Sequence, residues 1–269
     1  MNKTLLTASL LLSLAPAVAA QETEKAALPQ EVQVWVDKIG QLVDKPVSYD
    51  MAMSMDVVAQ NMPLQMTSTG HVLMLDAEHM RTTMKMTIEM EMMPEPMVME
   101  MLTVVDGENL WVQQDNPMVG QQIMKAKVSQ MNALRDAGMG MNLSGDQLKQ
   151  VRELFENYYG NFEVSQSENE VKITGDILKE MPGAAQLGNM DLKRFSLHLD
   201  PKTGFPSRMA MGNGEKDLMV ITMSNVKFLD KEKVDKKQFT YTPPEGAPVI
   251  DMGAMLGGAA GGAEDGGDF

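Results

Sequence analysis

The chain is 269 residues long, carries a formal charge of -14, and holds 29 methionines but no cysteine. An acidic chain with only 5% aromatic residues lacks the positive surface that phosphate backbones demand, so no nucleic-acid partner is expected. Without cysteine there is no disulfide framework, no thiolate metal site, no cysteine nucleophile and no lipid-modified cysteine of a bacterial lipoprotein.

Residues 1–20 have the layout of a cleavable secretory signal: Lys3, a short apolar run over 5–14, then Ala17-Val18-Ala19-Ala20. The run is too short to span a bilayer comfortably, and the polar stretch 21–25 follows it. Cleavage after Ala20 removes Lys3 and leaves the mature chain one charge more negative. No later segment reaches ~20 uninterrupted apolar residues. The expectation is an exported, periplasmic domain over residues 21–252.

Residues 29–44 read as an opening helix, with Pro29 in its first turn, Val32, Trp35 and Ile39 among its apolar positions, and Pro46 to stop it. Beyond it the period changes to two. Tyr49, Met51, Met53, Met55 and Val57 alternate with polar or small residues, and Met62, Leu64 and Met66 repeat the pattern, with Pro63 suggesting an edge or a bulge. In the clearest run Met80, Thr82, Met84, Met86, Ile88, Met90 and Met92 face away from Arg81, Thr83, Lys85, Thr87, Glu89 and Glu91. Such alternation marks antiparallel strands with one dry and one wet face. Pro94-Glu95-Pro96 turns the chain into a strand over 97–105, and Asp106-Gly107 is a hairpin signal before 108–113.

Residues 118–160 read as a helical insertion. Ile123, Lys127 and 131–134 fit one short helix, and Ser144 with Gln147 resembles a capping box before Leu148, Val151, Leu154, Phe155 and Tyr158. Strands resume over 162–166, 170–174, 195–199, 207–211 and 218–229, with a final short one at Phe239-Thr240-Tyr241. Residues 253–269 are mostly glycine and alanine with a few acids, the composition of a disordered tail. The fold class expected is mainly β with α: one curved antiparallel sheet of about eleven strands with helices on its apolar face.

Three local patterns carry a resemblance: Val105-Asp106-Gly107-Glu108-Asn109-Leu110-Trp111-Val112, Leu199-Asp200-Pro201-Lys202-Thr203-Gly204-Phe205-Pro206, and Phe239-Thr240-Tyr241-Thr242-Pro243-Pro244-Glu245-Gly246. Their order and spacing behind a signal peptide resemble the periplasmic lipoprotein carriers of the LolA-like superfamily over roughly residues 29–251. The resemblance implies an incomplete β-barrel with a helical lid, shielding acyl chains in an apolar cavity on the way to the outer membrane. It also implies an inner-membrane donor and an outer-membrane acceptor, a monomer, no cofactor and no enzymatic activity. The family's arginine after the strand at 71–75 has no counterpart, since Asp76-Ala77-Glu78-His79 stands there and Arg81 is the nearest.

An exposed acyl chain costs ~0.8 kcal/mol per CH₂ in water, so a carrier must hide most of it. Unbranched, polarizable methionine can repack around different chains. The lining expected from this reading is Met84, Met86, Met90, Met92, Met99, Met101, Leu110 and Trp111. The alternative is a methionine-rich copper(I)-binding protein, because thioethers are soft ligands and Met51-Ala52-Met53-Ser54-Met55 and Met97-Val98-Met99-Glu100-Met101 offer several. Against it, residues two apart on a strand stand about 6.5 Å from each other, too far to share an ion without bending. The methionines also share their face with Val57, Leu64 and Ile88, as core residues would. No nucleophile elbow, zinc-helix motif or phosphate loop occurs, and His71, His79 and His198 are scattered.

Overall fold

A computed structural model describes residues 28–42, 45–59, 62–76, 78–90, 93–117, 120–129, 147–179 and 190–253. The segment expected to be a signal peptide, Met92, Ser144 and most of the glycine-rich tail lie outside these residues.

The period-two segments form four long strands, β1 (Val47–Ala59), β2 (Met62–Asp76), β3 (His79–Met90) and β4 (Met97–Asp106). After the Asp106-Gly107 turn come β5 (Asn109–Asn116) and β6 (Gly120–Lys127). Gly107 sits at φ 92°, a conformation open to glycine at little cost. Asp106 closes the turn by accepting from the backbone N–H groups of Glu108 and Asn109 at 3.0 and 2.7 Å. The second half holds β7 (Tyr159–Gln166), β8 (Val171–Ile177), β9 (Arg194–Leu199), β10 (Pro206–Gly212), β11 (Asp217–Phe228) and β12 (Val249–Asp251). Two helices, α1 (Gln30–Gly40) and α2 (Gln147–Tyr158), complete the elements used below.

All the strands join in a single 12-stranded sheet, ordered β12-β6-β5-β4-β3-β2-β1-β11-β10-β9-β8-β7. The edges β12 and β7 do not pair with each other, so the barrel is incomplete. A flat sheet of this size would be about 50 Å wide at ~4.8 Å per strand. Yet one core gathers Met55, Met86 and Met99 from β1, β3 and β4 together with Ile173, Leu197 and Met211 from β8, β9 and β10. The sheet must curl to bring them together, and α1 and α2 fill the concave side through Val32, Trp35, Val36, Phe155 and Tyr158.

Two expectations fail. The apolar spacing at Ile123 and Lys127 builds a strand, not a helix: Gly120–Lys127 pairs antiparallel with β5 along its whole length. Ile123, Met124 and Ala126 are buried there, and the open edge of β5 supplies backbone partners that outweigh a weak local helical pattern. Nor is Phe239-Thr240-Tyr241 a strand. Lys236–Phe239 forms a 3₁₀ turn whose Asp235 cap accepts from the Lys237 N–H at 3.0 Å. The chain then crosses the outer face of the sheet, and only at Val249–Asp251 does it reach the free edge of β6 and pair with it, in parallel.

Candidate functional site

Directly paired residues on neighbouring strands share a face, so the register maps the methionines into rows that cross the sheet. One row is Met53, Ser68, Met86, Met99, and the next is Met51, Gly70, Met84, Met101. A third is Met55, Met66, Ile88, Met97. The structure therefore brings Met84, Met86, Met90, Met99 and Met101 to one face. Gly70 belongs there because a Cβ would collide with the Thr83 carbonyl oxygen and press on Met84. Leu110 is on the same face, opposite Val105, in a separate small cluster with Val128.

Trp111 corrects the expected lining. Adjacent strand residues point to opposite faces, and Trp111 packs on the outer side with Val104 and Ile123. Its ring lies 5.3 Å from that of Tyr241, its Nε1 donates to Asp106 Oδ2 at 3.0 Å, and Lys125 Nζ stands 4.8 Å from the ring centroid. It fastens the crossing C-terminal segment and has no part in the concave face.

The helices cover the methionine rows closely. Met55, Met86 and Met99 are 2%, 6% and 4% exposed. Lys38 ties α1 to the sheet by donating to the Pro201 carbonyl at 2.8 Å, and Arg152 of α2 pairs with Asp37 of α1 at 2.6 Å. The covered face also contains polar groups. The Met99 sulfur accepts from Gln114 Nε2 at 3.4 Å and from Asn116 Nδ2 at 3.6 Å. Ser68 Oγ and Thr103 Oγ1 are buried with no hydrogen-bond partner among the described residues, at a cost of about 1–3 kcal/mol each if left unmade.

A cleft lies at the end of the sheet where β1 meets β2 and β3 meets β4, and its lining draws on both faces: Val57, Leu64 and Met90 from the methionine face, and the paired row Asp56, Gln65 and Glu89 from the other. The cleft has a volume of about 760 Å³ and is also lined by Met93, Pro96 and Met190, with Asp191 and Lys216 at its margin. Leu64, Met90 and Met190 pack directly against the main core, so part of the cleft wall touches the edge of the methionine face. Its volume falls in the range of ligand sites. Sequence reasoning reached Met90 but not Met93, Pro96 or Met190; the Pro94-Glu95-Pro96 turn was the only local signal. No cluster of three or more His, Asp or Glu able to hold a metal occurs among the described residues. No described helix is long and apolar enough to cross a membrane.

No protein-family model and no curated protein matches the chain. Among solved structures it is similar to LprF from Mycobacterium bovis, at 15% identity and a TM-score of 0.42, covering 83% of this chain and 100% of that one. It is also similar to a LolA superfamily protein from Nitrosomonas europaea, at 13% identity and a TM-score of 0.25 over 80% and 99% of the two chains. A domain designated outer membrane lipoprotein-sorting, from Vibrio parahaemolyticus, shares 9% identity at a TM-score of 0.29 over 78% and 97%.

Proposed function

We propose that the protein is a carrier of acyl chains, from a lipid or a lipoprotein, in the cell envelope, and that its methionine face does no covalent chemistry. The observation that carries this reading is the cleft at the end of the sheet, part of whose wall touches the edge of the methionine face. An acyl chain enters beside Leu64 and Met90 and extends along the rows of Met86, Met84, Met99 and Met101 as those side chains and the helices give way. Methionine makes such repacking cheap, because its three rotatable bonds allow many shapes of similar energy. Release to an acceptor asks for moderate affinity, which a surface that must first be vacated provides. The signal-like segment supports export to the periplasm, with membrane-bound donor and acceptor proteins as partners. Copper(I) gains no specific support: the Met99 sulfur already accepts from two amide groups.

The test is extraction and mass spectrometry of lipid that co-purifies with protein isolated from its native envelope, followed by titration with a fluorescent fatty acid. Bound lipid, and at least tenfold weaker probe binding by Met90→Glu with folding intact, are the expected results. A protein that carries no lipid and ignores the probe would sink the reading. Met90 is the informative position for this charge, because the deeper burial of Met86 would confound binding with stability.

A further inference from the structure

The face opposite the methionines holds an arrangement that this carrier reading does not use. Ser48 and Asp50 stand two residues apart on β1 and so share the outer face, and His71 on β2 is the direct partner of Asp50. His71 Nδ1 is 2.7 Å from Asp50 Oδ1, while His71 Nε2 is 3.2 Å from Ser48 Oγ. With the proton on Nδ1, the imidazole donates to the carboxylate and its Nε2 accepts from the serine hydroxyl. A nucleophile, a base and a group that orients the base are in hydrogen-bonded sequence.

The surroundings build this geometry. Opposite it the sheet carries a bulge: between the pairs Ser48–Lys227 and Asp50–Ser224, Asn225 and Val226 of β11 face Tyr49 alone. Bulges re-aim side chains, and here Asn225 adopts φ 53° and its Nδ2 donates to Asp50 Oδ2 at 2.7 Å. That bond, followed by the one from His71, holds the Asp50 carboxyl below the ordinary carboxylate range. Lys227, the direct partner of Ser48, adds a cation to the same face, where its charge also helps to lower the Asp50 carboxyl. A trough of about 710 Å³, flanked by polar side chains of Thr69, Thr83, Lys85 and Gln113, runs across the strands next to His71, between a row beginning Asp50, His71, Thr83 and one beginning Ala52, Thr69, Lys85.

We infer that Ser48, His71 and Asp50 form a hydrolytic site for short-acyl esters of polar alcohols. Ser48 Oγ bonds to the ester carbonyl carbon as its proton passes to His71 Nε2. Lys227 faces the negative charge that develops on the carbonyl oxygen. The carbon–oxygen bond to the alcohol then breaks and the alcohol leaves with the proton from His71. Water, deprotonated by the same imidazole, cleaves the serine ester, so ester and water give acid and alcohol. Rows on a strand face repeat about every 7 Å, which sets the polar alcohol portion over His71 and into the trough when the acyl carbon is at Ser48. Asp50 and Asn225 are positioning residues.

The experiment uses the full chain with a fluorophosphonate probe, which phosphonylates an activated serine and releases fluoride, and with p-nitrophenyl acetate. Labelling is expected at Ser48 by peptide mass spectrometry, and hydrolysis should be lost in Ser48→Ala. Asp50→Asn should lower kcat at least tenfold with KM held, and His71→Gln should slow labelling at least tenfold. Ser54→Ala, on the same strand face, should change neither. Absent labelling, labelling indifferent to His71→Gln in a variant with unchanged circular dichroism, or hydrolysis undiminished in Ser48→Ala would overturn the assignment. Because the lipid-binding test reads the other face, its outcome and this one are separable.

Discussion

The two halves of the curled sheet fill one core with different materials. In β1–β4 the concave face is mostly methionine, mixed with Val57, Leu64 and Ile88 and interrupted by Ser68, Gly70, Thr82 and Thr103. In β7–β9, together with α2, a cluster of rings is added to Val171, Ile173, Leu197 and Leu199: Phe195 lies 4.2 Å from Tyr159, 6.1 Å from Phe155 and 6.1 Å from Phe162 between centroids. Aromatic contacts have preferred geometries and few torsions, whereas thioether chains have many near-equal arrangements. The comparison teaches that one half can act as a stiff support while the other yields, and the cleft opens on the yielding half.

The largest expected effect breaks the support. Phe195→Ala, at a residue 5% exposed, should cost about 3–5 kcal/mol in denaturant unfolding, because the rings around it cannot close the void. A loss under about 1 kcal/mol would erase the distinction between the halves. Second is the alkaline limb. Burial pushes the Tyr159 hydroxyl up to about 12, so the folded state favours the neutral form. Its contribution is complete below the unfolded value near 10 and is lost as pH rises through the folded value. A decline on the order of 2–3 kcal/mol is expected between those limits, and Tyr159→Phe should flatten it in a pH-dependent melting series.

Smaller effects sharpen the yielding half. Met86→Leu conserves volume at a site 6% exposed and should cost less than about 1.5 kcal/mol. It should weaken binding of the fluorescent fatty acid more than it lowers the melting temperature, since a branched side chain repacks less readily. The smallest effect is at the hairpin that ends this half. Burial raises the Asp106 carboxyl, but the hydrogen bonds from Asn109, Trp111 and Glu108 outweigh it and hold the group below the ordinary range. A depressed carboxyl stabilises above its unfolded value, and the benefit disappears as pH falls through the folded one. Asp106→Asn should therefore reduce the drop in melting temperature on acidification; an unchanged acid limb would remove that hairpin from the account.

Much of the architecture was legible because a strand with one wet face writes its period into the chain. From residue 47 to 106 the alternation located the four long strands and sorted Met84, Met86, Met90, Met99 and Met101 to one face, and Asp106-Gly107 marked its turn. Trp111 departs from the expected lining because it is adjacent to Leu110 on one strand, and adjacent strand residues point to opposite faces. The strand at Gly120–Lys127 was hidden because its stability comes from a partner edge rather than from its own residues. The cleft at Met93, Pro96 and Met190 unites segments almost a hundred positions apart, and no local pattern signals that.

Composition and period alone determined an acidic, cysteine-free chain that alternates methionine with polar groups, and hence a sheet with two unlike faces, since side-chain direction in a strand is a local property. Tertiary structure decided which way the sheet curls, where a cleft touches its methionine face, and that Ser48 and Asp50 meet His71 across a hairpin. Those outcomes depend on register and on a bulge opposite β1, which are properties of strand pairs and therefore of no single stretch of sequence.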